Sequence, residues 1–268
     1  WTDKIMSIIK DNCSAISLHH YSWFTSKRAT ELSQDDYMKV IWKSRNMDDL
    51  IKRHSTIMAK YDPEKKIKLV VDEWGTWYKT EEGTNPRFLH QQSTMTDALV
   101  AAGTLDIFNS HCDIVSMANI AQTVNVLQAV ILTHEENMIK TPTYHVFDLY
   151  SRHMGSRLLD SYCENKKLKS EDTVYAISHS ASVNEDGLIN VTLSNTSLDE
   201  DFEIDMVLFG KLIMEVDADI LHSKSHLSHN TFDNPENVRI NKYDEYKIEK
   251  NSLKIKIPPC SVVAITIR

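Results

Sequence analysis

The chain has 268 residues, 41% hydrophobic and 25% charged, an ordinary globular balance that allows one large or two modest domains. Its net charge of -8 is spread along the chain rather than blocked, which disfavours a nucleic-acid partner. No apolar run approaches the roughly 18–20 residues of a membrane helix, so no membrane partner is expected.

In chain order, residues 2–10 read as a helix with Ile5, Met6, Ile8 and Ile9 apolar. The chain opens on Trp1 without a signal-peptide pattern, and a fragment of a longer protein is expected. Neither feature fixes a compartment. A short strand follows over 15–18, then a helix over 35–60. Residues 67–71 are an uninterrupted apolar run, which suits a strand covered on both faces. A long helix is expected over 88–108 and a third strand over 114–117, reaching toward 120. Strands alternating with helices imply a parallel sheet. After about residue 155 the period changes to two, over 173–178, 188–193, 202–208, 253–257 and 262–267, with turn formers between. That pattern implies an antiparallel sandwich. The boundary falls within 151–161, dividing the chain into 1–155 and 156–268.

A closed (β/α)8 barrel takes about 250 residues, or roughly 31 per unit. The first 155 residues hold at most five such units and show three, so this chain cannot close a barrel alone. Cys13, Cys112, Cys163 and Cys260 match no metal or redox spacing and read as reduced thiols.

The chemistry concentrates at three strand ends. His19, His20 and Tyr21 follow the first strand, Asp72 and Glu73 the second, and Asn119, Gln122 and Asn125 the third. In a parallel sheet all three sets face one rim, where barrel enzymes hold their active sites. Tyr21, Trp23, Trp74 and Trp77 add flat apolar walls with polar handles, the surface a sugar needs. A lone His at a strand end is more often structural, and a lone Gln more often a satisfied helix-face residue; the set together favours polyol binding.

The segments ISLHHYSW, LVVDEWGTWY, ANIAQTVNVLQAVI, TPTYHVFDLY and HNTFDNPENVRI together resemble family 51 glycoside hydrolases, the α-L-arabinofuranosidases. The resemblance covers essentially the whole chain. It implies about three C-terminal strands of a (β/α)8 barrel followed by an antiparallel jelly-roll sandwich. It implies that Glu73 is the nucleophile at the end of the seventh barrel strand. His19 and Tyr21 then shape the sugar subsite and support the nucleophile, Gln122 contacts the sugar, and Trp77 borders it. Many members carry two adjacent tyrosines where this chain has Tyr21-Ser22. The family's acid/base, a Glu in a Gly-Asn-Glu motif, has no counterpart here; Glu31, Glu81 and Glu82 lie in polar stretches without that context.

The reaction so implied is a retaining double displacement at terminal α-L-arabinofuranosyl groups of arabinan, arabinoxylan or their oligosaccharides. Partners are the arabinofuranoside, the N-terminal barrel segment that supplies the acid/base, and, by resemblance, further copies in a hexamer. Two-carboxylate cleavage needs no cofactor. His222, His226 and His229 would line one face of a helix, but their segment is rich in turn formers, so no metal site is expected. The same retaining chemistry on a β-xyloside or β-glucan is one alternative. A carbohydrate-binding fragment, with Glu73 only an acceptor, is another.

Overall fold

A computed structural model describes residues 1–168 and 174–268. The first half alternates helix and strand: α1 (Thr2–Ile9), β1 (Ala15–Phe24), α2 (Gln34–Met58), β2 (Lys68–Tyr78), α3 (Met95–Ser110) and β3 (Val115–Ile120). The three strands form one sheet in the order β1-β2-β3, parallel throughout. A hairpin of β4 (Ile131–His134) and β5 (Asn137–Lys140) and the helix α4 (Pro142–Tyr150) complete this half.

Local chemistry sets the helix starts. Ser33 Oγ accepts from the Asp36 amide, and Asp36 Oδ2 accepts from the Ser33 amide, so α2 opens on a reciprocal cap. Tyr37, Val40, Ile41, Met47, Ile51 and Met58 then bury one face of it. Thr94 and Asp97 make the same cap for α3. The expected helix over 88–108 therefore starts seven residues late. Leu89 is left-handed at φ 52° and interrupts it, leaving a single 3-10 turn at Pro86–Phe88.

The second half holds β6 (Arg157–Leu158), β7 (Ile177–Val183), β8 (Ile189–Asn195), β9 (Phe202–Val207), β10 (Val216–His222), β11 (Ile240–Lys242), β12 (Tyr246–Glu249), β13 (Ser252–Ile257) and β14 (Ser261–Ile267). They form two antiparallel sheets, β11-β10-β14-β8-β7-β6 and β12-β13-β9. Leu253, Ile255 and Ile257 from the small sheet share a core with Val191, Leu193, Val263 and Ile265 from the large one. The strand expected over 173–178 runs later, as β7. Thr173 itself lies outside the described residues. The strands β6, β10, β11 and β12 were not read from the sequence. Of these, β10 alternates over Val216-Asp217-Ala218-Asp219-Ile220 before Leu221 breaks the pattern, with Ala218, Ile220 and Leu221 all buried.

The first core cluster also includes Leu221, Cys260, Val262 and Ala264, so it reaches the large antiparallel sheet. This explains why α3 is buried on nearly every side, with Ala98, Leu99, Val100, Ala101 and Ala102 at 1% exposure or less. The helix lies between β2 and the strands β7, β8 and β14. Polar ties cross the same seam. Tyr37 Oη donates to the Thr196 carbonyl at 2.7 Å, and the buried Asp106 carboxylate accepts from Ser178, Ser180 and Tyr150.

Candidate active site

The sequence places the strand ends at residues 18 and 71. In the structure β1 and β2 continue to Phe24 and Tyr78, paired in parallel from His19 opposite Glu73 to Phe24 opposite Tyr78. A register shift between Ser17 and His19 marks where the extension begins. The Asp-Glu pair thus sits within a strand and not at its end. Partnering between two long strands, which no single segment reveals, keeps the backbone extended.

Strand alternation then sorts the side chains. His19, Tyr21 and Trp23 from β1 meet Glu73 and Trp77 from β2 on one face. The intervening residues point the other way. His20 reaches the Lys43 carbonyl on α2 at 3.0 Å, and burial lowers its pKa. Trp74 is 1% exposed and packs against Phe108 and Phe147 at 5.4 and 6.1 Å. Trp74 is therefore a core residue and not a fourth wall of the cleft, because it is one residue, and so one face, away from Glu73.

Tyr21 Oη donates to Glu73 Oε2 at 2.7 Å. Burial first, and then the bond to the Glu73 carboxylate, hold the Tyr21 phenol well above its ordinary pKa, so it remains a donor. His19 Nε2 lies 2.9 Å from Asp72 Oδ1, whereas Nδ1 lies 3.6 Å from Glu73 Oε2, too far for a hydrogen bond. Asp72 also accepts from Ser17 Oγ at 2.8 Å. The ring is thus oriented chiefly by Asp72. Trp23 and Trp77 stack at 4.1 Å with planes 17° apart, and Tyr21 meets both edge-on at 5.8 and 5.1 Å. The arrangement offers a partly exposed carboxylate with a fixed donor, next to a continuous aromatic wall. It fits nucleophilic attack or hydrogen bonding to a neutral polyol.

Gln122 makes no hydrogen bond to this group among the described residues. It lies two residues past β3, in a loop and not a helix, and its exposed side chain lines a hollow with Phe88 and His90. His222 ends β10, and His226 and His229 lie beyond it in a loop, so they do not share a helix face. His226 Nδ1 is 3.2 Å from Thr96 Oγ1.

Beneath the wall lies a polar network that the sequence does not single out. Gln128 Oε1 accepts from the Thr76 amide at 2.9 Å, and its Nε2 donates to the Asp97 carbonyl and to Thr143 Oγ1. Thr76 Oγ1 donates to Asp97 Oδ1 at 2.6 Å. Gly75 sits at φ 144°, and a Cβ there would approach Gln128 Oε1 to 3.1 Å, so this strand position requires glycine. Gln128 is in the same segment as Gln122, and nothing local distinguishes the buried glutamine from the exposed one.

The profile of the alpha-L-arabinofuranosidase C-terminal domain matches residues 72–261. An intracellular exo-alpha-L-arabinofuranosidase from Bacteroides ovatus is 40% identical over all of this chain and 53% of its own length. Among solved structures, the GH51 arabinofuranosidase from Xanthomonas axonopodis pv. citri aligns with a TM-score of 0.97 at 35% identity, covering all of this chain and 55% of that one. The alpha-L-arabinofuranosidase from Thermotoga maritima, at 21% identity and a TM-score of 0.83 over 99% of this chain and 55% of that one, shares the fold. The chain spans about half the length of the curated relatives it matches over its whole length. It belongs to the α-L-arabinofuranosidases of glycoside hydrolase family 51 and corresponds to their C-terminal part.

Proposed function

We propose that this chain is the nucleophile-bearing part of a retaining α-L-arabinofuranosidase. The enzyme releases terminal α-L-arabinofuranosyl residues from arabinan, arabinoxylan or their oligosaccharides. Glu73 attacks the anomeric carbon and forms a covalent arabinosyl-enzyme, which water then hydrolyses. The proton for the leaving group, and later the base for water, come from a carboxyl group about 5–5.5 Å away. That group belongs to a segment preceding this chain. Tyr21, His19, Trp77 and Gln122 bind and orient the sugar.

The observation that carries this reading is the Tyr21–Glu73 hydrogen bond, set beside the stacked Trp23–Trp77 wall on the face of a parallel sheet. The sheet is read as the sixth to eighth strands of a (β/α)8 barrel within residues 1–155, and the antiparallel sheets as a jelly-roll sandwich within 156–268. Among the described residues, β1 and β3 each have one edge without a partner strand, and a barrel leaves no such edges. Strands from the preceding segment would fill them.

The test uses the full-length protein. Incubation with a mechanism-based arabinofuranosyl inhibitor, followed by peptide mapping, should place one covalent adduct on Glu73. Chromogenic α-L-arabinofuranoside, β-xyloside and β-glucoside substrates report the sugar released. An adduct elsewhere, or faster release of xylose or glucose, would overturn the assignment.

A further inference from the structure

We infer that the groove between α2, α3 and β7 is a second carbohydrate site, which holds a neutral stretch of a glycan backbone remote from the reacting bond. The groove has a volume of about 600 Å3, within the roughly 300–1,000 Å3 of small-molecule sites. It lies across the sheet from Glu73. His20 and Trp74 point away from Glu73 and reach α2 at the Lys43 carbonyl and α3 at Phe108, so both helices cover the opposite face. The site stands whether or not Glu73 is the nucleophile.

Arg45 carries the inference. Its partly buried guanidinium rests against α3 at Gly103, where a Cβ would overlap it. Burial lowers the Arg45 pKa, and the charge of Asp106 opposes that. Yet Arg45 makes no hydrogen bond or ion pair to any described residue. A planar fork of five N–H donors, withdrawn from water without an acceptor, is costly unless a ligand supplies one.

The other charged groups of the groove are Lys52, Asp48, Asp49 and Asp106. Asp48 is engaged by Lys52 at 2.6 Å and His111 at 2.7 Å. Asp106 accepts from Ser178, Ser180 and Tyr150. Asp49 is exposed and has no partner among the described residues, nor have the Asn46 carboxamide and the His179 ring. This mixture selects the ligand class. An anion on Arg45 would also meet three carboxylates, and a cation would meet Arg45 and Lys52. A hydroxyl donates and accepts at once, so a polyol serves Arg45 and Asp49 together. Ring surface is present too: Tyr175 is 47% exposed, and Trp42 lines the same groove. Aromatic faces beside fixed polar groups suit a sugar ring.

The walls are tied in place. Ser178 and Ser180 of β7 bond to Asp106 on α3, and the Asn165 side chain bonds to both backbone groups of Ile177. A contact with the polymer here would raise the local concentration of chain ends at the active site.

The test titrates the full-length protein by calorimetry with xylotetraose, which has no arabinofuranosyl group to lose, and with glucuronic acid. Asp49→Ala and Tyr175→Ala alter exposed side chains, and Arg45→Lys keeps the charge near Asp106 but gives up the fork. Each variant should weaken xylotetraose binding about tenfold, the loss of one anchor. Hydrolysis of arabinoxylan should fall as well, with kcat/KM on an aryl α-L-arabinofuranoside unchanged. No saturable binding by the wild type, equal affinities in all variants, or tighter binding of glucuronic acid than of xylotetraose would overturn the site. So would a parallel fall on the aryl substrate, which would show that the variants act through the fold. If the wild type cleaves no arabinofuranoside, the proposed reaction fails, and the calorimetric comparison still decides the groove.

Discussion

Tyr21 and Glu73 stand on adjacent parallel strands, two residues out of register, and are joined by a 2.7 Å hydrogen bond from the phenol to the carboxylate. His19, not Tyr21, is the residue directly opposite Glu73, yet its ring is drawn to Asp72. The longer tyrosine side chain reaches diagonally across the strands, a span within the reach of aromatic residues on neighbouring strands.

The first prediction removes that donor. Tyr21→Phe keeps the ring against Trp23 and Trp77 but leaves Glu73 without its bond. A hydrogen bond to a charged group is worth about 1.5–3 kcal/mol, so kcat/KM of the full-length enzyme should fall roughly 10- to 150-fold. Steady-state kinetics check it. A change below threefold would show that Tyr21 only fills space.

Trp77→Ala takes away half of the stacked wall. Aromatic pairs contribute about 0.5–1.5 kcal/mol beyond their area, and Trp77 is half-buried. The variant should fold and lose about tenfold in kcat/KM, mainly through KM. A kcat effect with KM intact would assign Trp77 to the chemical step instead.

Asp97 gives a pH signature of folding. Burial raises its pKa from 3.8 to about 6 against the hydrogen bonds from Thr76 and Thr94. Between those values the folded protein holds a proton that the unfolded chain has released. The associated stability is full below 3.8 and is lost as pH rises through about 6, by about 3 kcal/mol. Asp97→Asn abolishes this component, although it also weakens the α3 cap. In urea unfolding, the advantage of wild type over variant should shrink between pH 4 and pH 7. A constant difference would refute the shift.

His153 acts in the opposite sense. Its ring nitrogens lie 2.7 Å from Ser182 Oγ and 3.1 Å from Thr192 Oγ1, and burial, then Arg152, push its pKa from 6.5 down to about 4. The unfolded chain gains its proton first on acidification. Stability from His153 is therefore full above 6.5 and is lost as pH falls through about 4, by about 3 kcal/mol. His153→Gln should abolish this contribution. Over pH 4–6.5 the two residues oppose each other, so each single variant should show a steeper pH dependence, of opposite sign, than the wild type.

Gly103→Ala tests the packing of α3. Alanine is the better helix former by about 1 kcal/mol, yet a methyl here would overlap the Arg45 guanidinium. Burial raises the pKa of Asp106, and the hydrogen bonds from Ser178, Ser180 and Tyr150, together with the charge of Arg45, oppose that rise. Displacing Arg45 leaves that carboxylate less compensated, so a net loss of about 2–4 kcal/mol is expected. Thermal unfolding reads it directly. A stabilised variant would mean that Arg45 relocates freely.

Much of this was legible along the chain. Hydrophobic runs located the three parallel strands and α2, and the period-two stretches at 188–193, 202–208, 253–257 and 262–267 located β8, β9, β13 and β14. Those signals are local, since alternation and periodicity reflect how each segment buries its own apolar face. Glu73, Tyr21 and Trp77 stood out for the same reason, as an unusual carboxylate and aromatic density in short segments. The tertiary structure alone decided which of these side chains meet. Pairing of β1 with β2 extended both strands through the motif, and the alternation that pairing imposes turned Trp74 and His20 inward while bringing Trp23 onto Trp77. It also separated Gln128, locked under Gly75, from Gln122, which faces a hollow shaped partly by Phe232, more than a hundred residues along the chain. Register and loop packing are fixed by contacts between distant segments, and no single stretch of sequence carries them.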